Sequence, residues 1–241
     1  MSVRHLDKLF APASVAVIGA SDRPGSIGQV VLRNVLGGGF AGPVWPVNPR
    51  HATIGGQPAF AGVDALPAAP DLAIICTPPA AIPELVSSLG KRGTRAAVII
   101  TAGLDRVAAG GDRTVLQAML EAARPHCLRI LGPNCLGLLV PGIGLNASFA
   151  HASAQDGPIA FVSQSGALCT VVLDWARAEG IGFSHFISLG NAADVDFGDI
   201  IDYLASDRRT SAILLYIESI RQARKFLSAA RAAARNKPII A

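Results

Sequence analysis

The sequence has little of what metal sites and disulfide frameworks are built from. It contains four cysteines and five histidines in 241 residues. The cysteines lie far apart, form no Cys-x-x-Cys pair, and do not cluster with the histidines, so these residues predict no zinc or other metal site of their own. They are Cys76, Cys127, Cys135 and Cys169. Isolated cysteines of this kind predict reduced thiols and a cytoplasmic protein.

Charged residues are also scarce, at 16% of the chain, and aromatic residues make up 5%. Although the net charge is +4, the 21 lysines and arginines are scattered, so no basic stripe interleaved with stacking rings indicates a nucleic-acid partner. No apolar run approaches the roughly 18 residues that span a bilayer, and residues 1–7 carry charges where a signal peptide would be apolar. We therefore expect neither a membrane nor a nucleic-acid partner; anionic small molecules explain the positive charge equally well.

What the sequence does contain is 51% hydrophobic residues, arranged as short apolar runs that alternate with helical patterns. Between residues 14 and 131 this alternation predicts right-handed crossovers and a doubly wound parallel α/β sheet. The predicted strands are 15–18, 44–50, 72–76, 97–101 and 129–131, and the predicted helices are 26–36, 82–89 and 115–123.

A second strand, loop and helix begin at Ile159, which indicates a second domain. The Gly-, Ala- and Ser-rich residues 138–156 are interpreted as the connection between the domains. Further strands are predicted at 182–188 and 212–217, followed by a basic helix at 221–235. Residues 238–241 begin another strand, from which we expect the chain to be a piece of a longer protein.

A glycine-punctuated loop follows the first strand, in the segment Val15–Gly28. Such a junction leaves backbone N–H groups free at the helix start, where the positive end of the helix dipole favours an anion such as a phosphate. Gly19 permits a tight exit from the strand, and Gly25 and Gly28 let a ligand and the sheet approach closely. The spacing is longer than the dinucleotide pattern G-x-G-x-x-G, and turn chemistry alone is the other explanation.

The end of the second predicted strand carries a cation. A nicotinamide-binding fold has an acidic residue there to hold the ribose hydroxyls, whereas this sequence has Arg50. An arginine attracts a phosphorylated ribose, so the site suits coenzyme A (CoA) or NADP better than NAD. A solvated surface arginine is the alternative interpretation of Arg50 taken alone.

Short polar groups gather where the strands of the first predicted sheet end: Ser21, Arg23, Thr77, Pro78, Thr101 and Asn134. No nucleophile and base are paired among them, so we expect a binding cleft rather than a reaction centre. In the second domain, Ser163 and Ser165 precede Gly166 at a helix start. This loop predicts another anion-binding cup of main-chain N–H groups and hydroxyls, or a simple serine N-cap.

Three acids, Asp194, Asp196 and Asp199, follow the strand predicted at 182–188. A metal site is one interpretation, and capping of the next helix is the commoner role for acids in this position. His185 lies in the middle of that strand, where we expect it to pack.

Six motifs, taken in order, resemble the NDP-forming acyl-CoA synthetases, relatives of the succinyl-CoA ligase α subunit. They are Leu9-Phe10-Ala11-Pro12 before the Val-Ile-Gly-Ala-Ser loop, Pro46-Val47-Asn48-Pro49, Gly132-Pro133-Asn134-Cys135-Leu136-Gly137, Leu145-Asn146-Ala147-Ser148-Phe149, Ser163-Gln164-Ser165-Gly166-Ala167-Leu168 and Ser188-Leu189-Gly190-Asn191. They span essentially the whole chain, and their order is far more specific than the glycine loop alone.

The resemblance implies a Rossmann-like CoA-binding domain, residues 1–143, followed by the first part of a flavodoxin-like α/β domain, residues 144–241. In the family, CoA lies along the edge of the first sheet. The corresponding residues here are Gly19, Ser21, Asp22, Arg23, Pro24, Gly25, Ser26, Asn48, Arg50, Thr77, Pro78, Pro79, Thr101 and Ala102. Arg50 takes the place of a lysine near the CoA phosphates.

The resemblance also implies roles for residues beyond the edge of the first sheet. Asn134 and Cys135 correspond to the turn beside the CoA thiol. The family's phosphate site corresponds to Ser163, Gln164, Ser165 and Gly166. Glu218 matches the glutamate that orients the catalytic histidine.

Family chemistry runs in steps: acyl-CoA and phosphate give acyl phosphate and CoA, and the phosphoryl group passes to a histidine and then to ADP. None of the five histidines here has the context of that histidine; they are His5, His51, His126, His151 and His185. We therefore expect this chain to bind CoA thioesters. Turnover is expected to need an ATP-grasp domain or subunit with ATP or ADP and Mg²⁺, in a homo- or hetero-oligomer.

Two other functions stay open at this point. Residues 21–26 and 167–170 are also similar to the synthetase-like half of bacterial protein lysine acetyltransferases, which implies a regulatory acyl-CoA-binding module. An NADP oxidoreductase on a similar sheet is the third possibility, and it is disfavoured because no Tyr/Lys or His/Asp hydride-transfer pair is visible.

Overall fold

The computed structural model describes residues 3–107 and 112–241. Its strands are β1 Val15–Ile18, β2 Val44–Val47, β3 Thr53–Ile54, β4 Gln57–Pro58, β5 Leu72–Ile75, β6 Ala96–Ile99, β7 Arg129–Leu131, β8 Gly137–Val140, β9 Leu145–Ser148, β10 Gln155–Ser163, β11 Gly182–Ser188, β12 Ala212–Tyr216 and β13 Ile239–Ile240. Its α-helices are α1 Asp7–Phe10, α2 Ile27–Gly37, α3 Ile82–Arg92, α4 Val115–Ala123, α5 Gly166–Ala178, α6 Phe197–Ser206 and α7 Ala223–Ala233.

The first sheet is parallel and has the order β2-β1-β5-β6-β7. Alternate residues of each strand face opposite sides: Val15 and Val17 join the core that contains α2, whereas Ala16 and Ile18 join the core under α3 and α4. The predicted doubly wound parallel sheet is therefore confirmed. The strand order reverses between β1 and β5, and ligands of such sheets bind in the crevice beyond the carboxyl ends of the strands at this point.

The second sheet has the order β13-β12-β10-β11-β8-β9. Strands β10 to β13 are parallel, whereas β8 pairs antiparallel with both β11 and β9. The interpretation of residues 138–156 as a connection was wrong in this respect, because these residues form most of the β8–β9 hairpin. The second sheet takes its strands from Gly137 onward, and the predicted domain boundary at residues 143/144 stays a prediction.

The two sheets share one continuous apolar core. It contains Val31 of α2 and Leu131 of β7 together with Leu138, Ile187 and Ile201 of the second unit. Polar contacts reinforce this junction: the Asn34 side-chain amide donates to the carbonyl oxygens of residues 148 and 150, at 2.9 and 2.8 Å. The packing fixes the carboxyl ends of both sheets relative to each other.

Among the described residues, every helix is too short or too polar to cross a bilayer. The expectation that no signal peptide is present also concerns Met1 and Ser2, which lie outside the described residues.

Candidate functional site

A cleft of about 910 Å³ opens where the carboxyl ends of the two sheets face each other. From the first sheet it is lined by residues that follow β1, β5, β6 and β7, and from the second by residues that follow β10, β11 and β12. These include Arg23, Thr77, Pro78, Thr101, Ala102, Asn134, Cys135, Gln164, Gly166, Asn191 and Glu218. The cleft brings together side chains from both halves of the sequence, whereas the alternating pattern predicts a cleft only at the edge of the first sheet.

The loop after β1 is shaped by two glycines. Gly19 has φ +85°, a left-handed conformation that favours glycine. Gly28, in the first turn of α2, packs so closely on the strand exit that an added Cβ would overlap the carbonyl oxygen of Gly19. The helix start is thereby held against the end of β1, with the N–H groups of residues 27 and 28 in its first turn.

Side chains of this loop brace it from within. Ser26 caps α2 by accepting a hydrogen bond from the Gln29 N–H at 3.3 Å, and the Ser21 hydroxyl accepts one from the Arg23 N–H at 3.0 Å. Asp22 accepts the N–H of Gly55 at 2.9 Å. Pro24 and Gly25 complete the turn without lining the cleft or the groove described next.

A groove of about 690 Å³ continues from the cleft past this loop and the end of β2. The Asn48 side chain donates to the Ala20 carbonyl at 2.8 Å and accepts the Arg50 N–H at 2.9 Å, which orients the turn that carries Arg50. Arg23, Arg50 and His51 all line the groove. Sequence reasoning missed His51, whose only signal is its position next to the strand-end arginine.

Thr77 stands where the groove and the cleft meet and lines both. Its Oγ1 is buried and has no hydrogen-bond partner among the described residues. Its carbonyl accepts the Thr101 hydroxyl at 2.7 Å, which ties the ends of β5 and β6 together. Pro78 lines both cavities as well, whereas Pro79 begins a short 3₁₀ helix and lines neither.

The cysteines in the cleft are not activated. Burial raises the pKa of the Cys76 thiol to about 12 and that of Cys135 to about 12. The Cys135 thiol donates to the Ile99 carbonyl at 3.4 Å. Both side chains are therefore protonated at neutral pH, and the thiolate is the nucleophilic form of cysteine.

The turn that carries Asn134 docks on the loop after β11. The N–H of Asn191 donates to the Pro133 carbonyl at 2.9 Å, and the N–H of Ala193 donates to the Gly132 carbonyl at 3.0 Å. Asn134 has φ +56°, and its side-chain amide lies 3.4 Å from that of Asn191. Sequence reasoning did not include Asn191 in the site, although one of the six motifs ends on it.

The hydroxyls of Ser163 and Ser165, in the loop before α5, form hydrogen bonds with backbone groups close in sequence. The buried Ser163 hydroxyl donates to the Ser165 carbonyl and accepts the Ser165 N–H, both at 3.0 Å. Ser165 caps α5 by accepting the Leu168 N–H at 3.3 Å, so the N-cap interpretation is confirmed. The N–H groups of Gly166 and Ala167 have no acceptor among the described residues, which leaves main-chain donors for an anion at this helix start.

Gln164 holds the loop that follows β12. Its side-chain oxygen accepts the N–H groups of Glu218, at 2.7 Å, and Ser219, at 2.9 Å. Gln164 and Glu218 both line the cleft. Glu218 is exposed, so its carboxylate is free to act on a group brought to the cleft.

The three acids after β11 lie away from the cleft. Asp196 caps α6 by accepting the Asp199 N–H at 3.1 Å, so the capping interpretation is confirmed. Two basic side chains form salt bridges with these acids. Arg129 pairs with Asp194 and Asp199 at 3.0 and 2.9 Å, and Lys225 pairs with Asp196 and Asp199.

Comparison with known proteins agrees with this two-part architecture. A family model described as a CoA binding domain matches residues 13–141, and one described as a succinyl-CoA ligase like flavodoxin domain matches residues 156–241. The chain is 39% identical over 235 residues to an ADP-forming acetate–CoA ligase I of Archaeoglobus fulgidus, covering 98% of this chain and 34% of that protein. It is 41% identical over 236 residues to the α subunit of an ADP-forming acetate–CoA ligase II of Pyrococcus furiosus, covering 98% and 51%.

A solved structure shows the same fold. The dinucleotide-forming acetyl-coenzyme A synthetase 1 of Ca. Korarchaeum cryptofilum, in complex with phosphate and ADP, superimposes with a TM-score of 0.91 at 36% identity. The match covers 97% of this chain and 50% of that one. The chain thus spans about half or less of the length of the relatives described above. It belongs to the CoA-binding domain family and, through the succinyl-CoA ligase-like flavodoxin domain that follows, to the NDP-forming acyl-CoA synthetases.

Proposed function

We propose that this chain is the CoA- and acyl-CoA-binding part of an ADP-forming acid–CoA ligase. The observation that carries the proposal is a continuous channel: a groove with three basic side chains, Arg23, Arg50 and His51, opens into a cleft that ends at the first turn of α5. CoA carries its phosphates at one end and its thiol at the other, which matches a basic groove leading to a neutral cleft. The relatives named above are ligases and synthetases, and none of them is an acetyltransferase.

In this proposal the phosphates of CoA lie in the groove. Arg23 and Arg50 supply positive charge, His51 adds a ring nitrogen that can hydrogen-bond a phosphate, and the N–H groups of residues 27 and 28 supply main-chain donors at the helix start. Ser21, Asp22, Ser26 and Asn48 act by holding these groups in place. The pantetheine arm passes Thr77, whose unpaired hydroxyl supports the presence of a polar ligand here.

The thioester is proposed to lie in the cleft, with the CoA sulfur beside Asn134 and Cys135 and its carbonyl towards α5. Inorganic phosphate held by the N–H groups of Gly166 and Ala167 attacks the carbonyl carbon, the C–S bond breaks, and acyl phosphate and CoA are formed. Glu218 is proposed to orient a histidine, supplied by another part of the enzyme, that accepts the phosphoryl group. A partner ATP-grasp domain or subunit would bring ADP and Mg²⁺.

Titration calorimetry of the chain with CoA, desulfo-CoA and NADP tests the proposal. Arg50→Ala is expected to weaken CoA binding about tenfold, the loss of one charge-assisted phosphate contact. Arg33→Ala is the matched control, because Arg33 is exposed on α2 and lines neither cavity. NADP binding in preference to CoA would contradict the proposal.

A further inference from the structure

The part of the cleft beyond the shared groove has an apolar wall. Leu136, Phe149, Ala167 and Thr170 line it, and Ile27 lines both the cleft and the groove. Leu136 is buried, whereas Phe149 and Ile27 keep 36% and 45% of their surface exposed. These side chains come from α2, α5 and the segments flanking the β8–β9 hairpin. Partly exposed phenylalanine and isoleucine side chains that line one cleft offer apolar surface that an apolar ligand would cover.

The position of this wall relates it to the acyl group, given the proposed function. Phosphate at the first turn of α5 can attack a thioester only from about 3–3.5 Å, so the acyl carbonyl must lie near Gly166. Ala167 and Thr170 are three residues apart and therefore share one face of α5. The chain attached to the carbonyl can then lie against this face, in the cleft that Phe149 also lines.

The charged residues of the cleft limit which substituents the acyl chain can carry. Arg23 and Glu218 are the charged residues among those that line it. Arg23 also lines the groove, where the CoA phosphates would engage it. A second carboxylate at the far end of the acyl group would lose water without gaining a cation, and it would share the cleft with Glu218.

We propose that the cleft selects uncharged, apolar acyl groups larger than acetyl, and that Phe149 sets this preference. Dicarboxylic acyl groups are disfavoured because the wall offers them no positive charge. Each buried methylene favours binding about fourfold. Butyryl-CoA is therefore expected to bind on the order of tenfold more tightly than acetyl-CoA.

Calorimetric titration of the 241-residue chain with CoA, acetyl-CoA, butyryl-CoA and succinyl-CoA tests this inference. Butyryl and succinyl groups share a four-carbon chain and differ by the distal carboxylate, so their comparison isolates charge. Succinyl-CoA is expected to bind about tenfold more weakly than butyryl-CoA, the effect of an unpaired charge in the cleft.

Single substitutions test which residues set the preference for the acyl group. Phe149→Ala is expected to cut the ratio of butyryl-CoA to CoA affinity several-fold, and Phe149→Leu to restore part of it. Val171→Ala is the control, because Val171 is exposed on α5 outside the cleft. This substitution is expected to leave the ratios of acyl-CoA to CoA affinity unchanged. Thr170→Arg supplies the missing cation and is expected to raise the affinity for succinyl-CoA above that for butyryl-CoA. Circular dichroism checks that each variant is folded.

The outcomes separate the two proposals. Succinyl-CoA or acetyl-CoA binding as tightly as butyryl-CoA would overturn the inference while the CoA-binding function stands. An unchanged butyryl-CoA to CoA ratio in folded Phe149→Ala would remove Phe149 from its role. Failure of the wild-type chain to bind CoA at all would overturn both.

Discussion

His185 is a single side chain through which pH acts on the stability of the protein. It is fully buried in β11, with its ring 5.3 Å from that of Phe10 and 6.0 Å from that of Tyr203. Its Nδ1 lies 3.6 Å from the Asp207 carboxylate, and neither ring nitrogen has a hydrogen-bond partner among the described residues. Burial lowers the pKa of His185 to about 4.

This lowered pKa predicts a loss of stability in mild acid. The unfolded chain, with a histidine pKa near 6.5, takes up the proton first as pH falls, so the stabilisation is complete above pH 6.5 and is lost towards pH 4. The loss is expected to approach about 3 kcal/mol. Urea unfolding at pH 7.5 and pH 4.5 measures it, with His185→Phe as the variant that flattens the difference. A wild-type unfolding free energy equal at both values would contradict the assignment.

Individual site residues were predictable where a strand end or a motif marked them. Arg50 stood out because a cation replaces the expected acid after β2, and the structure places it in a basic groove. The Ser163 and Ser165 hydroxyls were expected to help hold an anion. The Ser163 hydroxyl donates to the Ser165 carbonyl, whereas Ser165 caps α5 as a hydrogen-bond acceptor, so its part in anion binding stays a prediction. His51 has no spacing pattern of its own, and Phe149 belongs to a sequence motif that assigns it no role, so only the fold brings these two side chains to the groove and the cleft.

Helix α2 depends on a close approach to β1 that a single methyl group would prevent. An added Cβ at Gly28 would overlap the Gly19 carbonyl, whereas one at Gly37, in the last turn of the same helix, meets nothing within 4 Å. Gly28→Ala is expected to destabilise the chain by about 2 kcal/mol, as overpacking does, and to weaken CoA binding by displacing the helix start. Gly37→Ala is expected to be neutral or slightly stabilising.

Thermal unfolding together with CoA titration checks this pair of variants. Gly28→Ala with wild-type stability and wild-type affinity would show that the helix start does not need the close approach.

Sequence patterns predicted the helices and strands whose own residues carry the pattern. The strands of the first sheet are continuous apolar runs because both faces are covered, and α2 has a serine cap and an apolar stripe. The β8–β9 hairpin was missed because its small residues read as a linker. Leu138 and Leu139 become strand by pairing antiparallel with Ile187 and Phe186, a partner almost 50 residues away that no local pattern reveals.

The two halves of the molecule are joined by a buried ion network as well as by the shared core. Arg129, at the start of β7, donates to the carboxylates of Asp194 and Asp199 in the second half, and Asp199 is buried. Arg129→Ala is expected to lower the free energy of unfolding by about 3 kcal/mol, because it leaves the buried Asp199 carboxylate with Lys225 as its remaining cationic partner. Arg124→Ala, an exposed arginine of the same half, is the control. Urea unfolding measures both, and equal midpoints would contradict the role given to Arg129.

A crystal structure of the chain with CoA bound tests most directly whether CoA lies in the groove and the cleft at the carboxyl ends of the two sheets. We expect the nucleotide phosphates beside Arg50 and the start of α2, the pantetheine arm across Thr77, and the sulfur near Asn134, facing Gly166. CoA bound at another surface, with the groove and cleft unchanged and open to solvent, would contradict the assignment of this channel.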